Sequence, residues 1–220
     1  MIAVNAATRV SGLLQRPPRA KWCLILAHGA GAGMHHAFMA AVADDLATLG
    51  IATLRYQFPF VERRAKRPDP AELSHATVRA AVAAARKLVP GMPLIAGGKS
   101  FGGRMTSQAQ AADALAGVRG LAFLGFPLHS PKEPSVARAE HLSRVQIPML
   151  FLQGTRDAFA KMELLQPLIA GLGARATLTL LKDADHSFHV PARTGRSDAQ
   201  VRHEMLTVLA SWAASVIETD

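Results

Sequence analysis

Ser100 stands between glycines in Gly98-Lys99-Ser100-Phe101-Gly102, where the apolar run Pro93-Leu94-Ile95-Ala96-Gly97 gives way to a helically spaced segment from Gly103 to Ala116. A serine at a strand-to-helix junction sits on a tight, strained turn that lifts its hydroxyl clear of the backbone. Glycines must flank it because side chains there would collide with the neighbouring strand and helix. Such a hydroxyl suits nucleophilic attack, but its pKa lies far above neutrality, so a base must take its proton and a carboxylate must orient that base. Both follow downstream. The run Ile147-Pro148-Met149-Leu150-Phe151-Leu152 ends in Gln153-Gly154-Thr155-Arg156-Asp157, and Ala176-Thr177-Leu178-Thr179-Leu180-Leu181 ends in Lys182-Asp183-Ala184-Asp185-His186. Asp157 is the preferred acid and His186 the base. Asp183 and Asp185 are the substitutes, ranked lower because they crowd the base itself, and Asp157 also reads as the N-cap of a helix starting near Phe159.

These residues converge only if the elements carrying them share an edge. Continuous apolar strands are expected near 22–28, 51–56, 93–98, 120–125, 147–153 and 176–182, with an antiparallel strand around Thr8 to Leu14 preceding them. Helical spacing falls between them, near 36–48, 71–88, 102–115, 161–171 and 199–217. Alternating strands and helices with apolar strands imply an α/β fold: a doubly wound, mostly parallel sheet with helices on both faces. In such a sheet the carboxyl ends of the strands face one side, so Ser100, Asp157 and His186 can meet. The segment Phe126 to Gln146 is short, so no large cap is expected and the cleft should be open.

A further element lies at the same edge. The strand Trp22-Cys23-Leu24-Ile25-Leu26-Ala27 runs into His28-Gly29-Ala30-Gly31-Ala32-Gly33-Met34, whose glycines let the backbone approach a substrate oxygen. The order serine, aspartate, histidine together with this loop resembles the α/β-hydrolases, in particular those related to dienelactone hydrolases. More closely, the chain is similar to a hydrolase-like family that includes a subunit of a chromatin acetyltransferase complex and its bacterial relatives. The resemblance is carried by His28-Gly29-Ala30-Gly31, Arg55-Tyr56-Gln57-Phe58-Pro59-Phe60, Gly97-Gly98-Lys99-Ser100-Phe101-Gly102-Gly103-Arg104, Phe126-Pro127-Leu128-His129, Gln153-Gly154-Thr155-Arg156-Asp157 and Ala184-Asp185-His186-Ser187-Phe188. It implies a serine hydrolase with Ser100, Asp157 and His186 as its triad and the backbone N–H groups of Phe101 and Ala30 as its oxyanion hole. It names no substrate. It also raises a rival from another class, a catalytically silent scaffold that uses the same fold for protein contacts.

Composition bounds the rest. With 220 residues, half of them hydrophobic, the chain can bury a substantial core as one domain spanning 1–220 without disulfides or metals. Its one cysteine, Cys23, lies in an apolar strand and excludes an intrachain disulfide framework. No charged leader precedes a long apolar block and no run reaches the ~18 apolar residues of a membrane span, so a cytoplasmic location without membrane contact is expected. The net charge of +9 gathers in Arg16 to Lys21 and in Glu62 to Arg67. A solvated surface bias is one reading; steering of an anionic small-molecule substrate is the other. Interleaved aromatics that could stack on bases are missing, which disfavours nucleic acid, and no zinc-ligand spacing occurs.

Two glycine-rich alternatives fail. A P-loop ending in Gly98-Lys99-Ser100 would need glycine at position 93, which is Pro93. The Gly29 to Gly33 run lacks the third glycine of a dinucleotide fingerprint, and the following strand ends in Arg55 and Tyr56 where an acid would hold a ribose. No cofactor is called for. Arg55, Tyr56 and Phe58 end a strand beside the expected pocket, where lining it and core packing compete. Lys99 and Arg104 flank the serine and could meet a substrate carboxylate. The expected substrate contacts are therefore Arg55, Tyr56 and Lys99, whereas His28, His129 and His189 read as loop-packing residues.

Overall fold

The computed structural model describes residues 1–218. Its centre is a seven-stranded sheet built from β3 (Gly12–Gln15), β4 (Cys23–Ala27), β5 (Ala52–Tyr56), β6 (Leu94–Lys99), β7 (Val118–Leu124), β8 (Met149–Gly154) and β9 (Ala176–Leu181). The spatial order is β3-β5-β4-β6-β7-β8-β9, with β3 antiparallel to β5 and every other pair parallel. A small hairpin of β1 (Ile2–Ala3) and β2 (Arg9–Val10) stands apart from it. Among the described residues six α-helices accompany the sheet: α1 (Ala37–Thr48), α2 (Pro59–Glu62), α3 (Ala71–Leu88), α4 (Phe101–Ala112), α5 (Met162–Gly171) and α6 (Asp198–Glu218).

Side-chain alternation along the strands separates two cores. Cys23, Ile25 and Ala27 of β4 and Leu121 and Phe123 of β7 face the layer containing α3, α4 and α5. Leu24, Leu26, Ala122 and Leu124 face the layer of α1 and α6, where Met39, Leu46, Met205 and Leu209 are buried. Strands apolar on both faces must be covered on both, which is why these segments read as continuous hydrophobic runs. The fold expected from the sequence is therefore the one observed. The short α2 was not anticipated: Pro59 starts it at the first helical position, where a missing N–H costs nothing. Between β7 and β8 the chain forms only a 3-10 helix over Ala137–Arg144, with no large cap.

Registry brings the strand ends level. Ala27 pairs with Gly98, Lys99 with Leu124, Leu124 with Leu152, and Gly154 with Leu181. From β4 the chain moves outward to β5 and then returns to place β6 on the other side of β4. The boundary between β4 and β6 is thus the point where strand order reverses, and crevices open at the carboxyl ends of strands there. The two loops that emerge carry Ala30 and Ser100.

Candidate active site

Ser100 is the single residue between β6 and α4, and its backbone is forced into an unusual conformation, φ 50° and ψ −116°. A non-glycine residue rarely occupies this region; the surrounding packing holds it there. Gly98 and Gly102 make the turn feasible. A Cβ on Gly98 would lie 2.4 Å from the Ala27 carbonyl oxygen, and one on Gly102 would lie 2.6 Å from that of His28. The steric reason for glycines beside the serine is therefore a direct backbone-to-backbone approach between β6, α4 and the end of β4.

The structure brings Ser100, His186 and Asp157 into one line. His186 Nε2 is 2.8 Å from Ser100 Oγ, and His186 Nδ1 is 2.7 Å from Asp157 Oδ2. Asp157 is buried, and both its oxygens are engaged. Oδ1 accepts the backbone N–H of Phe159 at 2.7 Å, while Oδ2 also accepts from Gln153 Nε2 at 2.5 Å. With an anionic carboxylate at Nδ1, that nitrogen carries the ring proton and Nε2 presents its lone pair to the serine. The Phe159 ring packs against the imidazole at a centroid distance of 4.4 Å.

The rival acids serve the turn around His186 in other ways. Asp185 Oδ1 accepts the backbone N–H groups of Ser187 and His189, so it shapes the turn that carries His186. Asp183 has positive φ, and its N–H donates to Thr155 Oγ1. The capping alternative for Asp157 is met in part: its bond to Phe159 closes a tight turn, while α5 begins only at Met162.

The loop after β4 is held from behind. His28 is buried, with Nδ1 2.8 Å from the Gly29 carbonyl and Nε2 accepting the N–H of Phe58 at 3.0 Å. That pairing fixes one neutral tautomer, and burial pushes the imidazole below its ordinary pKa. Further along, the His129 ring lies between the Ser130 carbonyl and the Lys161 N–H, and the exposed His189 pairs with Asp198. Gly29 and Ala32 close a turn, with Ala30 at its corner, and Phe101 opens α4, where a helix leaves its first N–H groups without intrahelical partners. Ala30, Ser100 and Phe101 share one cavity wall.

The cleft has two lobes that meet at Ser100, Ala30 and Phe159. One, about 450 Å³, is lined by His186, Ser187, Lys99 and the apolar Phe38 and Met39. The other, about 360 Å³, is lined by Phe101, Met105, Pro127, Arg104 and Arg138, with Asp69 at its margin. Of the three residues expected to meet substrate, only Lys99 lines the cleft. Its ammonium is enclosed, has no hydrogen-bond partner and lies 5.4 Å from the centre of the Phe188 ring. Desolvation lowers its pKa to about 8 against the opposing pull of Asp157 and Asp185. Arg55 and Tyr56 are not brought to the cleft. Arg55 is buried and donates to the Met34 carbonyl, and Tyr56 packs inside the core beside Phe58. The expectation of substrate contact there is corrected: alternation along β5 sends the two side chains to opposite faces of the sheet, and each is buried by the layer that covers its face.

A second serine–histidine contact, Ser107 Oγ to His141 Nε2 at 2.7 Å, lies inside the packing of α4 against the 3-10 helix. Burial and the nearby Arg104, Arg144 and His75 push His141 down to about 4. No carboxylate pairs with this histidine among the described residues, so the contact lacks the acid that would hold it as a base.

Comparison with known proteins agrees with this architecture. A family model described as an alpha/beta hydrolase domain matches residues 20–214. Among solved structures, an alpha-beta serine hydrolase homologue from Coxiella burnetii superposes with TM-score 0.75 at 18% identity, covering 95% of this chain and 96% of that one. A serine hydrolase without lid from Xanthomonas campestris gives TM-score 0.74 at 21% identity, with coverage of 96% and 93%. A dienelactone hydrolase from Anabaena variabilis gives 0.72 at 22% identity, covering 94% of each chain.

Proposed function

This chain belongs to the alpha/beta hydrolase family, and on that premise we propose that it cleaves an ester, thioester or lactone of a small molecule through covalent catalysis at Ser100. The observation that carries the reading is the continuous contact from Ser100 Oγ through His186 to the buried Asp157, with the serine on a strained turn. Ser100 Oγ attacks the carbonyl carbon while His186 Nε2 takes its proton. Asp157 keeps the proton on Nδ1 and stabilises the imidazolium that results.

Negative charge developing on the carbonyl oxygen is met by the backbone N–H groups of Ala30 and Phe101. Each such donor contributes ~3 kcal/mol in comparable sites because it is aimed beforehand at the oxyanion. The tetrahedral species collapses as His186 hands its proton to the departing alcohol or thiol, leaving an acyl group on Ser100. Water, activated by the same histidine, attacks the acyl-enzyme and regenerates the serine. The Lys99 stem, Phe38 and Phe159 form the apolar wall beside the histidine.

Labelling with a fluorophosphonate tests the reading. Wild type should form a covalent adduct at Ser100 and hydrolyse members of a simple ester panel, and Ser100→Ala should do neither while unfolding at a similar temperature. A folded wild-type protein that neither labels nor turns over any ester would leave the scaffold reading in its place.

A further inference from the structure

The two lobes of the cleft hold their cations differently, Lys99 with its enclosed ammonium in one and Arg104 and Arg138 in the other, and their positions relative to His186 assign one to each half of an ester. His186 lines the lobe of Phe38, Met39 and Ser187 and is absent from the wall of the other. The leaving group must depart within reach of the histidine that protonates it, so the alcohol portion occupies the lobe of Phe38 and Met39. The acyl chain is then directed to the opposite side of Ser100, into the lobe of Arg104 and Arg138.

That second lobe holds cationic groups without partners. Arg104 lies one helical turn after the serine, its backbone N–H donating to the Ser100 carbonyl, and its guanidinium rests against the Phe101 ring at 5.8 Å. Its Nε is enclosed and has no hydrogen-bond partner. Among the described residues, neither Arg104 nor Arg138 forms an ion pair. Asp69 also lines the lobe; one of its oxygens pairs with Arg63, and the other, Oδ2, is buried without a hydrogen-bond partner. Burial and the proximity of Arg138 disfavour the charged form of Arg104, and a bound anion would relieve both.

Resting on the serine hydrolase reading above, we propose that the substrate is a half-ester of a dicarboxylic acid with an apolar alcohol, its free carboxylate held by Arg104 and Arg138 while Ser100 attacks the esterified carbonyl. Guanidinium groups offer carboxylates a planar, two-pronged set of donors, and a half-buried guanidinium without an ion-pair partner gains from such a bond. The reaction is ordinary hydrolysis: the ester C–O bond breaks, the alcohol leaves with the proton from His186, and water supplies the oxygen of the new carboxylate.

The experiment compares kcat/KM for four benzyl-type esters. These are monobenzyl glutarate, its neutral isostere with an isopropyl group in place of the carboxylate, benzyl pentanoate, and the para-carboxybenzyl ester of pentanoic acid, which carries its charge on the alcohol side. Monobenzyl glutarate should exceed the isostere by about tenfold or more, as expected for a charge-assisted bond. The para-carboxybenzyl ester should gain no such advantage over plain benzyl pentanoate. In Arg104→Met and Arg138→Met the preference ratio should collapse toward one, while fluorophosphonate labelling reports that the variants remain folded with a reactive serine. Turnover of neutral esters with no preference for the glutarate, or an equal preference for charge on the alcohol side, overturns the proposal and leaves the hydrolase reading standing. Failure of every ester together with absence of labelling overturns the hydrolase reading itself.

Discussion

Gln153 Nε2 donates to the same oxygen of Asp157, Oδ2, that faces His186, so this carboxylate oxygen serves two donors at once. The other end of the amide is also engaged, its Oε1 accepting the backbone N–H of Phe126 at 2.9 Å. Gln153 is fully buried at the end of β8. It therefore sets the height and rotation of the carboxylate beneath the imidazole while tying β8 to the segment after β7.

Replacing Gln153 with methionine keeps the volume and removes both bonds. The expected result is a fall in kcat of about tenfold, with KM little changed, since the loss concerns the orientation of the histidine rather than substrate contact. Steady-state kinetics on any accepted ester provides the measurement. A change in KM alone would assign Gln153 to the substrate wall instead.

Asp157→Asn should lower kcat by ~10⁴-fold, as the amide favours the wrong tautomer of His186. Asp185→Asn should stay within about tenfold of wild type, because an asparagine oxygen can still accept the N–H groups of Ser187 and His189. Parallel kinetics on the two variants decides between the acids, and an inactive Asp185→Asn beside an active Asp157→Asn would reverse the assignment.

Much of this site was legible because Ser100, Asp157 and His186 each follow a continuous apolar run, and parallel strands deliver such positions to one edge. Gln153 was not singled out. It ends a hydrophobic run, and nothing in its type reveals that the amide turns toward Asp157. Arg55 and Tyr56 misled for the opposite reason: a strand end beside a cleft places the backbone there, but neighbouring side chains point to the two opposite faces of the sheet, and both faces are covered. Arg138 lies in the 3-10 helix over Ala137–Arg144, and only tertiary packing of that helix against α4 places it near Arg104. In outline the sheet followed from hydrophobic runs, while the short α2 and the 3-10 helix, set by local turns around Phe58 and Val136, had no periodic signal.

The buried ammonium of Lys99 links stability to pH. Its pKa is about 8 in the folded protein and near the ordinary 10.5 when unfolded, so between these values the unfolded chain binds the extra proton. Stability therefore carries the full burden of the buried charge below about pH 8 and recovers it as pH rises toward 10.5, by about 3 kcal/mol at most. Urea unfolding of wild type and Lys99→Met at neutral pH and near pH 10 measures this. The variant should be more stable at neutral pH, and its advantage should shrink at the higher pH. An advantage that does not change with pH would assign the effect to packing around Phe188.

The strained backbone of Ser100 is testable apart from chemistry. Ser100→Gly and Ser100→Ala both delete the hydroxyl, but only glycine adopts φ 50° and ψ −116° without penalty. Glycine should make the protein more stable than alanine by ~1 kcal/mol in equilibrium unfolding. Equal stabilities would mean that the turn stores no such energy.

Between β7 and β8 the chain folds into no large cap over Ser100. An acyl group carried on that serine would then face the bulk medium throughout its lifetime. Any small alcohol dissolved there could compete with water for it, so the enzyme should act as an acyltransferase in proportion to the alcohol supplied. Nor would such a cleft require a lipid–water boundary to open it, and its rate should rise smoothly with substrate through the concentration at which the ester begins to form micelles.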